Sequence, residues 1–144
     1  MYSVLGFTYV VHHIGDFFLN WYSNELIQHA DRVLTAAAQV FFDRSNPNND
    51  FTGRFHIAVK VAGVHWHFRS KAHASELTAG YYNTRYRNGY SPIFRVLKKH
   101  EATVVFTCME MKDNNQPTDC HCSPEDLVVR CVLSIQRTLL MNIL

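Results

Sequence analysis

The run VKVAGVHWHF, residues 59–68, puts Lys60 inside an apolar stretch and closes it with His65, Trp66 and His67. Such a run predicts a strand buried on both faces, where a lysine is seldom found without a partner. Ala58 and Ala62 flank Lys60 on its own face and leave room for a ligand. An ammonium group, two imidazoles and an indole gathered at a strand's end suit a polar ligand that hydrogen-bonds and stacks.

The other chemistry-bearing residues form weaker patterns. Cys120, His121 and Cys122, with Cys108 and Cys131 elsewhere in the chain, suggest zinc. Structural zinc sites pair their cysteines as C-x₂₋₄-C, which successive Cys-His-Cys fits poorly, so no metal site is expected. Glu110 and Glu125 are the carboxylates that invite a catalytic role. Glu125 reads instead as a charge at a helix N-terminus, favoured by the dipole. RYRNGY, residues 85–90, mixes arginine and tyrosine as RNA-binding loops do. A net charge of +2 is too small to point to nucleic acid or a membrane, and neither is expected as a partner.

These residues need a scaffold, and 144 residues are enough for one domain with a real core. The 47% hydrophobic and 18% charged composition is that of an ordinary globular protein. Four cysteines among ordinary helix and strand signals are no disulfide scaffold, so a reducing compartment is the expectation. MYSVLGFTYVV at the start lacks the basic region and small-residue cleavage site of a signal peptide, and is far too short to span a membrane. It also lacks the Arg/Ser-rich composition of a transit peptide.

Helical spacing of Leu19, Tyr22, Leu26, Ala30, Val33, Ala37 and Val40 predicts a helix over 16–42, with Asp16 as N-cap. DRSNPNND (43–50) predicts a loop, and 55–64 the first strand. Residues 70–90 are long, polar and aromatic, and predict a functional loop with a short helix inside. A second helix is expected over 91–100, with Ser91 capping it, Pro92 in the first position, and Lys98, Lys99 and His100 at the negative end of the dipole. ATVVFT (102–107) is the second strand, and a polar loop follows over 108–122. A third helix over 123–136 starts with Ser123, Pro124 and Asp126 in a weak capping box. Strands alternating with helices predict an α/β fold with a parallel sheet. Long polar loops after the strands match the active-site face of a (β/α) barrel, which takes about 250 residues, so only part of one fits here.

KVAGVHWHF, SELTAGYYNTRYRNGYSPI and FTCMEM together resemble plant β-amylase, the inverting exo-hydrolase of glycoside hydrolase family 14. FFLNWYSNELIQHADRVL is similar to the family's helix before the same strand, and the resemblance runs from about Gly15 to Thr138. It implies three parts: an unmatched segment 1–14, a partial β-amylase barrel domain 15–138, and a divergent tail 139–144. The loop at 43–54 is longer than its family counterpart. The implied fold is a partial (β/α)8 TIM barrel, about two strands and three helices of it. The implied reaction releases β-maltose from the non-reducing ends of starch or another α-1,4-glucan, with no cofactor and with water as second substrate. No specific protein partner follows, and the implied compartment is the plastid (chloroplast) or the cytoplasm.

Inverting hydrolysis uses two carboxyl groups, one protonating the leaving oxygen and one activating water. The family's acid lies upstream of the FFLNWYS helix, and its base sits in a GENAL-like segment where this sequence reads LLMNIL. Neither is expected in this chain, which is therefore expected to be inactive alone. Glu110 matches a family glutamate outside the catalytic pair. By position in the motifs, Lys60 resembles the lysine that hydrogen-bonds glucose hydroxyls. His65 resembles a histidine ligand of the glucan, Trp66 its packing neighbour, and Thr107 the threonine of the mobile inner loop. His67 receives no role. A non-catalytic protein that binds glucan or regulates starch breakdown, and a truncated gene product, are the alternatives.

Overall fold

The structure is a computed structural model that describes residues 13–42, 56–84 and 86–140; the expected loop at 43–50 and the segment 1–12 lie outside the described residues. In chain order the elements are α1 (His13–Phe41), β1 (Ala58–Val61), α2 (Ala74–Thr78), α3 (Tyr90–Lys99), β2 (Thr103–Phe106), a 3₁₀ turn (Asp113–Asn115) and α4 (Pro124–Leu140). β1 and β2 pair in parallel, with Ala58 opposite Thr103 and Val61 opposite Phe106. A parallel pair needs a crossover, and α2 and α3 supply it. No helix among the described residues is long and apolar enough to cross a membrane.

The sheet has one covered and one bare face. Val61, with Val59, Val104 and Phe106 partly buried, packs against Leu34 of α1, Phe94 and Leu97 of α3, and Leu127 and Cys131 of α4. Ala58, Lys60, Thr103 and Val105 alternate with them and are exposed. This corrects the expectation of a strand buried on both faces. The apolar run is an alternation of large residues toward the helices and small or polar ones away from them. β1 is also shorter than the expected 55–64, ending at Val61.

α1 begins at His13, so Asp16 lies in its first turn and is not the N-cap. Its buried line runs through Ser23 and Leu34, whereas Val33 and Val40 are 51% and 69% exposed. The helix reaches the core through Leu34. Midway along it, Asp31 takes hydrogen bonds from Lys99 Nζ at 2.8 Å and pairs with His100 at 2.5 Å, which fastens α1 to the end of α3.

The helix starts are fixed by more distant residues than expected. α3 begins at Tyr90, and Asn88 rather than Ser91 caps it: Asn88 Oδ1 accepts from the Tyr90 and Ser91 N–H groups at 3.0 and 3.3 Å. At α4 the expected capping box does not form: the Ser123 hydroxyl donates to the Asp126 carboxylate at 2.7 Å, and the Ser123 N–H goes to the His65 carbonyl. The cap comes instead from the 3₁₀ turn. Asp113 Oδ1 accepts from the Glu125 N–H at 3.1 Å, and Glu125 Oε2 accepts from the Asp113 N–H at 3.0 Å. α4 runs on to Leu140, four residues past its expected end.

Cysteine usage predicts thiols, but the structure joins Cys120 to Cys122, whose Cα atoms lie 5.1 Å apart, within bridging range. Cys108 and Cys131 are free. Among the described residues no cluster of histidines, cysteines and carboxylates could hold a metal ion.

Candidate functional site

The two strands end side by side, and a stitch between their backbones sets the site. The Thr107 N–H donates to the Val61 carbonyl at 3.3 Å. The Gly63 N–H donates to Thr107 Oγ1 at 2.7 Å, and the Cys108 thiol to the Gly63 carbonyl at 3.3 Å. A Cβ at position 63 would stand 2.6 Å from the Thr107 carbonyl oxygen, so only glycine allows this approach. Accepting from Gly63 leaves the Thr107 hydroxyl its own proton to give to a ligand.

Beyond the stitch, residues 65–69 lie along 120–123. The Ser123 N–H donates to the His65 carbonyl, the His67 N–H to the Cys120 carbonyl, and the Arg69 N–H to the His121 carbonyl, each at 3.0 Å. The His65 ring meets Trp66 edge to face, with centroids 5.4 Å apart. Its Nδ1 is buried with no hydrogen-bond partner among the described residues, while Trp66 is 47% exposed. A buried polar atom left unpaired is costly, and such atoms often mark the place of a ligand or water.

Lys60 sits on the bare face, opposite Val105 in the register. Lys60, His65 and Thr107 thus all lie on the carboxyl half of one strand pair, on or beyond its open side. No hydrogen bond joins them to one another among the described residues. They stand as separate groups and form no proton relay among the described residues. Glu110 is exposed in the loop after β2, and Glu125 is an acidic residue in the first turn of α4, as expected, its carboxylate accepting from the Asp113 N–H.

Sequence reasoning did not single out Glu76, which anchors the 73–90 loop. It is fully buried. Glu76 Oε1 accepts from the Tyr90 hydroxyl at 2.7 Å and from Asn83 Nδ2 at 3.1 Å, and Oε2 meets His73 Nδ1 at 2.8 Å. Burial, with this carboxylate beside it, pushes the Tyr90 hydroxyl far above the usual tyrosine range. The Asn83 Oδ1 accepts from the Gly89 N–H at 2.8 Å and closes the loop. The spacing His73-x-x-Glu76 was a readable signal for the last of these contacts. A second network sets Arg69 against Asp113 at 2.7 Å and Asp126 at 3.4 Å, tying the 65–69 segment to the start of α4.

Parallel strands with helices on one side, and polar and aromatic loops gathered at their carboxyl ends, define an α/β protein whose ligand face lies at the strand ends. The glycosyl hydrolase family 14 sequence model matches residues 7–141, and the chain belongs to that family. It is 52% identical over 114 residues to beta-amylase 1, chloroplastic, of Oryza sativa subsp. japonica, which covers 79% of this chain and 20% of the relative. Beta-amylase 1, chloroplastic, of Arabidopsis thaliana is 48% identical over 120 residues, covering 83% of this chain and 19% of the relative. The catalytic domain of beta-amylase from Paenibacillus polymyxa superposes with a TM-score of 0.66 at 26% identity, over 86% of this chain and 27% of that one. The chain spans about a fifth of the length of the plant relatives it matches.

Proposed function

We propose that this chain carries part of the glucan-binding wall of a β-amylase, the inverting exo-hydrolase that releases β-maltose from starch. The bare sheet face supports this best. Small and polar residues at Ala58, Lys60 and Thr103 suit the inside of a (β/α)8 barrel, of which residues 15–138 form a partial domain. Lys60, His65 and Thr107 then hydrogen-bond sugar hydroxyls, with Trp66 packed beside His65. The buried, unpaired Nδ1 of His65 and the unspent proton of Thr107 favour that role.

Neither of the family's catalytic glutamates has a counterpart among the matched residues, so this chain alone binds glucan without cleaving it. The unpaired edges of β1 and β2 and the uncovered face argue in addition for a weakly stable isolated chain. The names of the rice and Arabidopsis relatives support a plastid location.

The test is a maltose titration of the purified chain, beside a starch assay that reads maltose release. Saturable maltose binding, weakened about tenfold or more by Lys60→Ala or His65→Ala, is expected, with no release of maltose. Robust release by the pure chain would overturn the inactivity. Absence of any saturable binding would overturn the glucan-binding role.

A further inference from the structure

A cavity of about 600 Å³ lies between Thr84, residues 86–88, the 68–73 segment and α4. Four guanidinium groups line it, those of Arg69, Arg87, Arg130 and Arg137, against the one carboxylate of Asp126. Arg69 is spent on Asp113 and Asp126. Arg87 stands over the Tyr82 ring at 4.7 Å, donates through Nη1 to the Tyr82 carbonyl and lies in the field of Asp16, while Arg130 stands over the Phe68 ring at 5.5 Å. Among the described residues neither of these two, nor Arg137, has an ion pair.

Arg130 and Arg137 are thus two cations with no carboxylate partner on one cavity, and Arg87 adds a third whose charge is only partly offset by Asp16. Their like charges repel one another, and a multiply charged anion relieves that repulsion. Guanidinium groups match phosphate oxygens two at a time, so the anion they fit best is a phosphate. Beside them Val129 and Leu133, 57% and 46% exposed, form an apolar wall on α4. A neutral glucan gains nothing from these cations, and nucleic acid would use a longer basic stripe along the surface.

We infer that this cavity binds a small phosphomonoester, its phosphate held by Arg130 and Arg137 with the remaining N–H groups of Arg87, and its ring body laid on Val129 and Leu133. The arginine of RYRNGY at position 87 thereby acquires a role that the glucan site does not give it.

Calorimetric titration of the full chain with glucose 6-phosphate tests this, with inorganic phosphate, glucuronate and glucose as comparison probes. One glucose 6-phosphate should bind per chain, about tenfold or more tighter than inorganic phosphate or glucuronate, and with affinity that falls as salt rises. Glucose should not bind here, and saturating maltose should leave the binding unchanged. Arg137→Gln, a change at an exposed position that leaves the core intact, should weaken it about tenfold. Absence of saturable glucose 6-phosphate binding, or equal binding by Arg137→Gln, would overturn the assignment. Glucuronate binding as tightly would remove the phosphate from it, and inorganic phosphate binding as tightly would remove the apolar wall.

Discussion

The two faces of the β1–β2 pair are built from the same few residues and do opposite things. On the covered face, large side chains meet three helices, and Leu97 and Leu127 are 2% and 0% exposed. On the bare face Val105, one position from the buried side, is 45% exposed and Lys60 stands opposite it. A single strand therefore serves stability with its odd positions, Val59 and Val61, and leaves its even ones exposed, the face proposed above for glucan. Packing makes the first face intolerant of change, while the second can be altered with little loss of folding.

The sharpest break in this contrast is expected at Glu76, on the covered side of the 73–90 loop. Glu76→Ala strands the Tyr90 hydroxyl, the Asn83 amide and the His73 ring without their acceptor. The loss should be roughly 3 kcal/mol or more, measured as a shift in the urea midpoint. A change under about 1 kcal/mol would mean that water enters and replaces the carboxylate. Leu127→Ala should cost about 2–5 kcal/mol by emptying the centre of the core, whereas Val105→Ala on the bare face should cost well under about 1 kcal/mol. Equal losses at the two positions would show that something covers the bare face in solution.

These two faces also divide what could be read from the chain alone. Order and type of the elements were legible because the signals are local: Pro92 and Pro124 near helix starts, Lys98 and Lys99 in a last turn, apolar runs of strand length. The parallel pairing followed from their alternation. The one-sided burial of β1 was not legible, because Ala58 and Ala62 count as apolar in a sequence while being small enough for an open face. Likewise, the valines of α1 fit a helical stripe, but Val33 and Val40 stay exposed while Ser23 and Leu34 are buried. Glu76 and Asn88 act on partners brought near only by the loop's fold, which spacing alone does not show. At the candidate site, the residue types of Lys60, His65 and Trp66 drew attention from the start. The Gly63–Thr107 stitch that aligns their loops needed the structure.

That stitch is where the two faces meet, and it provides a test of intermediate size. Gly63→Ala drives a methyl group to 2.6 Å from the Thr107 carbonyl oxygen, with Leu127 and Phe106 also within 3.3 Å. It should cost about 1–3 kcal/mol and should weaken maltose binding together with stability, because strand-end alignment serves both. Lost stability with unchanged maltose affinity would separate the stitch from the site.

The smallest effects belong to the two pins that hold α1 on the covered face, and they lie at opposite ends of the pH scale. Tyr82 donates to Asp16, and burial, followed by that carboxylate, pushes its hydroxyl up to about 12. Folding favours the neutral phenol, so this contribution is whole below pH 10, the ordinary tyrosine value, and is lost as pH rises toward about 12. Tyr82→Phe should then flatten part of the alkaline fall in melting temperature. Asp31 works in the reverse sense: hydrogen bonds from Lys99 and His100 hold its carboxyl below the ordinary 3.8. Its contribution is present above that value and fades as pH falls through the lowered one. The melting-temperature gap between the parent chain and Asp31→Asn should therefore be steady at neutral pH and close at strongly acid pH. Because Asp31 is exposed to screening, added salt should narrow the gap at neutral pH as well. A gap that persists unchanged in acid would show that α1 is held by its packing against α3 and the sheet, with Asp31 contributing no charge to it.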